Sequence, residues 1–430
     1  MFFFVLLIVM ICLMMAWGFL RPQNPYQFPF LMAAITLVFL LPQSIMLNSR
    51  PEYGMSTKCL HVTYLMTALC LLMACIGYSR RLKKKFFLFL TTPDIAENRM
   101  FYGAVVYAIA AYYFQYLIKA LPTAALQGTT EGGATGIVTK YIFFRSLIYP
   151  AFAISLLYAL KRKKIIIWLI TFVMAWLPLS LIIFSGRREV TAIFLLTIGL
   201  ACYFRYKWCP PKLLIGSLLI FTLIAIPLIS IYRNVAAREE WSDLREINFK
   251  EEFLDYIERG EALELTNAVF IIQYCLTTGT YGYGKGYWDD VVFSFVPAQF
   301  TGEKFKYALM SKKPDYFVKL FFYYFNYTKN LGATTTGIAD AFFEFGYLGC
   351  LFFYFLGYFF KHLWAAVTTS NNMLMQVFYI QLLSPAMLAI THGTVTFLPH
   401  LIYQIIFLSL LYVFAKRRKR YYRILPVKAN

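Results

Sequence analysis

Charged side chains are scarce in this chain. Asp, Glu, Lys and Arg make up 14% of its 430 residues, where a soluble domain carries about a quarter. Acids are the scarcest of them, 21 against 41 Lys and Arg, which leaves a net charge of +20. The eight cysteines show no zinc or redox spacing. Most lie inside apolar runs (Cys12, Cys70, Cys75, Cys202, Cys350) and read as small packing residues. There is no HExxH, no His/Cys cluster and no DxD in an external loop, so no metal and no cofactor is expected. Phosphate-loop glycine patterns are missing from any setting that suits a nucleotide. GYGKGY at 282–287 falls where nucleotides are scarce, as the span count below shows.

What the chain has instead is hydrophobicity. Apolar residues make up 60% of it and aromatics 19%, in continuous runs of about 20 residues rather than alternating ones. Backbone groups in lipid must be satisfied within the segment, which selects helices. The expectation is an all-α polytopic membrane protein of about eleven spans. They fall near 2–20, 28–48, 60–78, 101–120, 142–160, 164–184, 190–206, 213–232, 338–360, 373–391 and 396–414. The opening MFFFVLLIVMICLMMAWGFLRPQ lacks a basic leader and a small-residue cleavage site, so it reads as a retained span. The chain then divides into spans one to eight (1–232), one large external segment (233–337), and spans nine to eleven with a basic tail (338–430).

Charge distribution supports that division. Residues 233–337 hold 14 of the 21 acids and 12 of the 41 basic residues, while the rest holds 7 acids and 29 basic residues. The excess sits in short loops: SRRLKKK (79–85), KRKK (161–164), Arg205, Lys207 and Lys212, Lys361, and KRRKRYYR (416–423). Eleven spans put every one of these on the same side. The positive-inside rule makes that side cytoplasmic, which leaves nucleic-acid binding without support. The turn FSGRREV (184–190) then lies outside, where Arg187 and Arg188 break the rule. They need an anionic phosphate ligand or acidic partners.

Within the external segment, EEWSDLREINFKEEFLDYIERGEALEL places Phe249, Phe253 and Ile257 at helical spacing and reads as an amphipathic helix. TTGTYGYGKGYWDD is rich in glycine, which allows close backbone approach, and in aromatics, which suit sugars or the interfacial belt. DDVVFSFVPAQF and YFVKLFFYYFNY are too short to span and read as interfacial or re-entrant. Asp289 and Asp290 are adjacent, project differently and make a weak metal pair.

Asp340 and Glu344 stand four residues apart at the outer start of the ninth span, on one helix face. They serve either as functional carboxylates or as ion-pair partners of Arg187 or Arg188. His392 and His400 bracket the last external turn, where a neutral imidazole can act as general base or as a hydrogen-bonding anchor.

Three stretches carry a resemblance to a family. FSGRREV ahead of an apolar span, GKGYWDDVVFSFVPAQFTGEKF, and TTTGIADAFFEFGYLGCLFFYFLGYF together resemble the O-antigen polymerases, the bacterial oligosaccharide repeat-unit polymerases. The likeness covers roughly 180–360 in detail and the whole chain in layout. It implies a GT-C-like membrane fold and a metal-independent glycosyltransferase at the outer face of the cytoplasmic membrane. There, undecaprenyl-pyrophosphate-linked repeats would be joined into a surface polysaccharide, with a chain-length regulator and a flippase as further partners. On that reading Arg187, Arg188 and Arg233 bind pyrophosphate, and His392, Glu344 or Asp340 activates the acceptor hydroxyl. The chain departs from the family where Pro297 is followed by Ala298 and Gln299 instead of arginine. Any anionic contact there falls to Lys304 or Lys306, or is absent. An O-antigen ligase, or a transporter of lipid-linked sugars, shares the many spans and the outward arginines.

Overall fold

A computed structural model describes the chain except for residues 84–94, 122–136, 239–247, 249–250, 252–262, 297, 313–315, 329–333 and 417–430. The amphipathic helix expected from EEWSDLREINFK onward falls almost wholly outside the described residues. Everything regular among the described residues is helical.

Among the described residues, ten helical stretches are long and apolar enough to cross a membrane. They are α1 (Phe2–Leu20), α2 (Phe28–Ser49), α3 (Thr57–Ser79), α4 (Glu97–Lys119), the pair α5 (Ile137–Arg145) and α6 (Ile148–Arg162), α7 (Ile165–Ser185), α8 (Arg188–Tyr206), and three near the C-terminus. The eleventh expected span is α9, a helix over Lys212–Arg238 whose apolar part begins at Lys212. The protein is thus an all-α, multi-pass membrane protein, as its apolar runs require. Exposed apolar side chains such as Phe172, Trp176 and Ile109 mark the lipid-facing surface. Cys59, Cys70, Cys275 and Cys350 are buried packing residues, and none of the eight cysteines is in a disulfide.

The ninth span differs from expectation. Gly337–Thr369 is 33 residues long, about 50 Å as one helix, too long for a hydrocarbon core of about 30 Å. It breaks at Gly346, whose φ of +58° ends α15 (Gly337–Phe345) in a conformation that favours glycine. A 3₁₀ turn over Gly346–Cys350 leads into α16 (Leu351–Thr369). α16 alone reaches about 28 Å, so a crossing needs no more than α16, and α15 is a separate short helix ahead of it. α16 lies along α3, where Gly77 and Gly357 let the two backbones touch. A Cβ on either glycine would overlap a carbonyl, of Tyr354 or Ala74 respectively. α17 (Met373–Thr391) and α18 (Phe397–Ala415) complete the bundle.

The segment 233–337 is not wholly external. Its helix α10 (Leu263–Thr278) is buried from Leu265 to Ile272 and packs on α2, α3 and α15. At 16 residues it reaches about 24 Å, short of a crossing. Gln43 holds its start, donating to Glu264 Oε2 at 2.9 Å and accepting from the Leu265 amide at 2.9 Å. Three short helices follow: α11 (Lys285–Phe295), α12 (Ala298–Thr301) and α13 (Glu303–Ala308), then α14 (Tyr316–Phe325). None is long enough to span.

Contacts gather the basic loops at one end of the bundle. Arg80 stacks on Tyr354 and Lys361 on Tyr78. Tyr78 donates to Gln27, Tyr203 to Gln23, and Tyr206 to the Leu160 carbonyl. Lys161 pairs with Glu97 at 2.6 Å, and the Ala96 amide donates to the Ala415 carbonyl. These link into one continuous chain of contacts. α10, α11 and α15 occupy the opposite end.

Candidate functional site

α15 presents the two acids. Thr336 caps it, its hydroxyl accepting from the Ala339 amide at 3.4 Å. Its first glycine, Gly337, lies against the Ala389 carbonyl of α17, which leaves no space for a side chain. Asp340 is 6% exposed and Glu344 1%. Buried carboxylates need partners, and each has found its own.

Glu344 is held by the glycine-rich loop. The Gly284 amide donates to Glu344 Oε2 at 2.7 Å, and the Gly282 and Tyr283 amides donate to the Phe343 and Glu344 carbonyls at 2.8 and 2.9 Å. Lys312 Nζ stands 3.6 Å from Glu344 Oε1 and 3.7 Å from the centre of the Phe343 ring. Burial lowers the Lys312 ammonium from its ordinary pKa, against the pull of Glu344, Asp289 and Asp340. Gly282 and Gly286 fit because a Cβ on either would overlap the Glu344 carboxylate. Gly286→Ala is therefore expected to destabilise the protein by about 1–3 kcal/mol. A thermal unfolding midpoint in detergent that matches the wild type would contradict this.

Asp340 faces the turn between α17 and α18. Its Oδ2 accepts from the Thr394 hydroxyl at 2.5 Å and the Val395 amide at 3.0 Å. Thr394 Oγ1 lies 3.0 Å from the Tyr287 hydroxyl. Since Thr394 gives its proton to Asp340, it accepts from Tyr287. This ties α11 to the acid pocket. Three residues along α11, on the face of Tyr287, stands Asp290. Its neighbour Asp289 points elsewhere and accepts from the Ser311 and Lys312 amides at 2.7 and 3.0 Å. Asp290 accepts from no donor among the described residues. Burial, and next the Asp340 carboxylate, push its carboxyl up to about 6.

The FSGRREV turn is built as its residues direct. Gly186 ends α7 at a φ of +55°, Arg187 caps α8, and the Arg187 side chain is exposed. Arg145, at the end of α5, is 9% exposed and its Nη1 donates to Gln115 Oε1 at 3.3 Å. Arg145 and Arg187 are close enough to act on each other, and both act on Tyr149 together with Glu189. Glu189 in turn acts on His400 in the first turn of α18. From Thr394 to His400 the chain advances about 10 Å. The start of α18 thus stands between the carboxylates and the arginines.

Several expected roles change. Asp340 and Glu344 do not pair with Arg187: Glu344 pairs with Lys312, and Asp340 is held by Thr394 and Val395. Lys306 turns back on α11, donating to the Phe293 carbonyl at 2.7 Å with its ammonium 4.4 Å from that ring. Lys304 is exposed. His392 is exposed beside the pocket, its Nδ1 2.8 Å from Thr391 Oγ1. Arg188 opens α8 and Arg233 lies within α9, and their side chains are outside the described residues. Among the described residues no three His, Cys, Asp or Glu gather as a metal site.

Two residues of this end, Arg145 and Lys312, escaped sequence reasoning, and Asp290 was read there only as half of a weak metal pair. Arg145 was signalled as an arginine inside an apolar run. Asp290 and Lys312 carried no local signal, because their partners come from α15.

No protein-family model, curated protein or solved structure matches this chain.

Proposed function

We propose that the protein joins oligosaccharide units carried on a prenyl pyrophosphate, acting at the end of the bundle that holds α10, α11 and α15. The observation that carries this reading is the pairing of two carboxylates, Asp340, whose Oδ2 is held by Thr394 and Val395, and Asp290, which has no donor among the described residues, with the start of α18 between them and the arginines. Burial pushes both carboxyls up to about 6, and carboxyls shifted towards neutrality in one pocket suit acid–base work. The positive-inside rule places the basic end in the cytoplasm and this site outside the inner membrane.

On this reading the anionic donor meets Arg187 and Arg145, whose guanidinium forks suit phosphate. An acceptor hydroxyl attacks the anomeric carbon of the donor sugar. The new C–O bond forms as the bond to pyrophosphate breaks. The hydroxyl proton passes to a carboxylate, and the arginines carry the charge left on the pyrophosphate. Arg187→Ala is expected to slow chain growth roughly 100-fold, read as product length in purified, lipid-reconstituted protein. Wild-type lengths would remove Arg187 from the phosphate role.

The break between α15 and α16 favours a second reading, a transporter of the same lipid-linked sugars, since discontinuous helices line transport sites. In transporters such breaks lie near mid-membrane, whereas α16 is long enough to span without α15. Purified protein given only a lipid-linked repeat unit separates the readings. A polymerase yields a ladder of products, a ligase needs a different acceptor, and a transporter forms no new bond.

A further inference from the structure

At the basic end, a cavity of about 400 Å³ opens between α1, the α1–α2 turn, the end of α3 and α16. Its polar floor is already satisfied. Asn24 Nδ2 donates to the Trp17 carbonyl at 2.8 Å, Gln27 Nε2 to Asn24 Oδ1 at 3.2 Å, and the Tyr78 hydroxyl to Gln27 Oε1 at 2.7 Å. Its donors are not. Arg21 and Lys361 both line the cavity, and among the described residues neither pairs with a carboxylate. Lys361 rests 5.0 Å from the centre of the Tyr78 ring, a contact that uses its charge but none of its three N–H donors. Gln23 accepts from Tyr203 at 3.0 Å, and its amide nitrogen finds no acceptor among the described residues. No Asp or Glu lines the space. Two cations and an amide donor around one cavity, with nothing anionic between them, call for an anion.

The walls say which kind. Trp17 and Trp364 flank the cavity, as aromatics do at a headgroup boundary. Leu20, also in the lining, is 75% exposed, and Leu13, 61% exposed, stands seven residues earlier on the same face of α1. An apolar track therefore runs from the cations along the lipid-facing side of α1. Inorganic phosphate has no use for such a track, but an acyl chain does.

We propose that this cavity holds the phosphate headgroup of an anionic phospholipid, with an acyl chain along the Leu13–Leu20 face of α1. The site lies at the opposite end from the carboxylates and does not depend on the function proposed above.

Full-length protein exchanged into micelles containing phosphatidylglycerol or phosphatidylethanolamine tests this by native mass spectrometry. One phosphatidylglycerol is expected to stay bound per chain, retained about tenfold better than phosphatidylethanolamine. Arg21→Gln with Lys361→Gln should abolish the preference, while Lys361→Arg should keep it. Leu20→Ser, on an exposed face where folding is not at stake, should weaken retention of the same lipid. Equal retention of the two lipids by the wild type overturns the proposal, as does an unchanged preference in the double variant. Displacement of the lipid by millimolar inorganic phosphate overturns it too, since that makes the cavity a small-anion site.

Discussion

Asp290→Asn is expected to slow polymerisation by about 10²–10⁴-fold, the usual contribution of a positioned general base. The reason is geometric. Glu344 is spent on Lys312 and the Gly284 amide, and Asp340 Oδ2 already accepts from Thr394 and Val395. Asp290 lies beside them with no donor among the described residues, so a substrate hydroxyl can take that place. Donor binding should survive the change, because the arginines are untouched. The pH profile gives the sign. A base works when deprotonated, and burial with Asp340 nearby pushes Asp290 up to about 6. Wild-type rate should therefore rise as pH rises through about 6 and level off above it. Burial pushes Asp340 up to about 6 as well, so the Asn variant should lose most of the rate, and any rise left in its residual rate reports Asp340. The charged groups around α11 include Asp340 and Glu344 from α15, Lys285 and Asp289 on α11 itself, and Lys306 and Lys312 from the segments that follow it. An unshifted rise in Asp290→Asn would assign the titration to one of these instead.

Lys312→Met is expected to cost about 3–5 kcal/mol of stability, because it leaves a buried charge without its partner. Glu344 is 1% exposed and the Lys312 side chain 18%, so water cannot readily replace the ammonium. Glu344→Gln combined with Lys312→Met should recover most of that loss, since replacing a buried pair as a whole is often neutral. Chemical denaturation in detergent of the wild type, Lys312→Met, Glu344→Gln and the double variant gives the coupling. A Lys312→Met protein as stable as the wild type would mean that the pair is only a contact. This pair also explains the glycine loop. Gly282 and Gly286 leave room for the carboxylate, and the loop backbone ties to α15 through three amides.

The spans were legible because lipid imposes a simple demand: about 20 apolar residues with every backbone group paired. Nine of the ten long apolar stretches found among the described residues, and α9, fall where hydropathy places them. Hydropathy failed where that demand relaxes. LELTNAVFIIQYCLTT forms α10, buried against α2, α3 and α15, yet it is too short to register as a span. The break at Gly346 was invisible because α15 is as apolar as α16. Asp340 and Glu344 stood out as two of only seven acids outside 233–337, and the glycines of GYGKGY announced a close backbone approach. What they approach could not be read locally. Glu344 meets residues 282–286 and Lys312 through tertiary packing alone, and Asp290 gains meaning only when α11 is laid against the Thr394 turn. The expected pairing of α15 carboxylates with Arg187 failed for the same reason. Nearer partners exist, but they come from parts of the chain whose fold had no local signature.

The most direct test is a product assay on the purified protein in lipid vesicles, supplied with a labelled prenyl-pyrophosphate oligosaccharide and nothing else. The account predicts a ladder of products rising by one repeat unit, formed by the wild type and lost in Asp290→Asn with donor binding retained. Transfer that proceeds at the wild-type rate in Asp290→Asn, or a wild type that binds the donor and forms no new glycosidic bond, would contradict it.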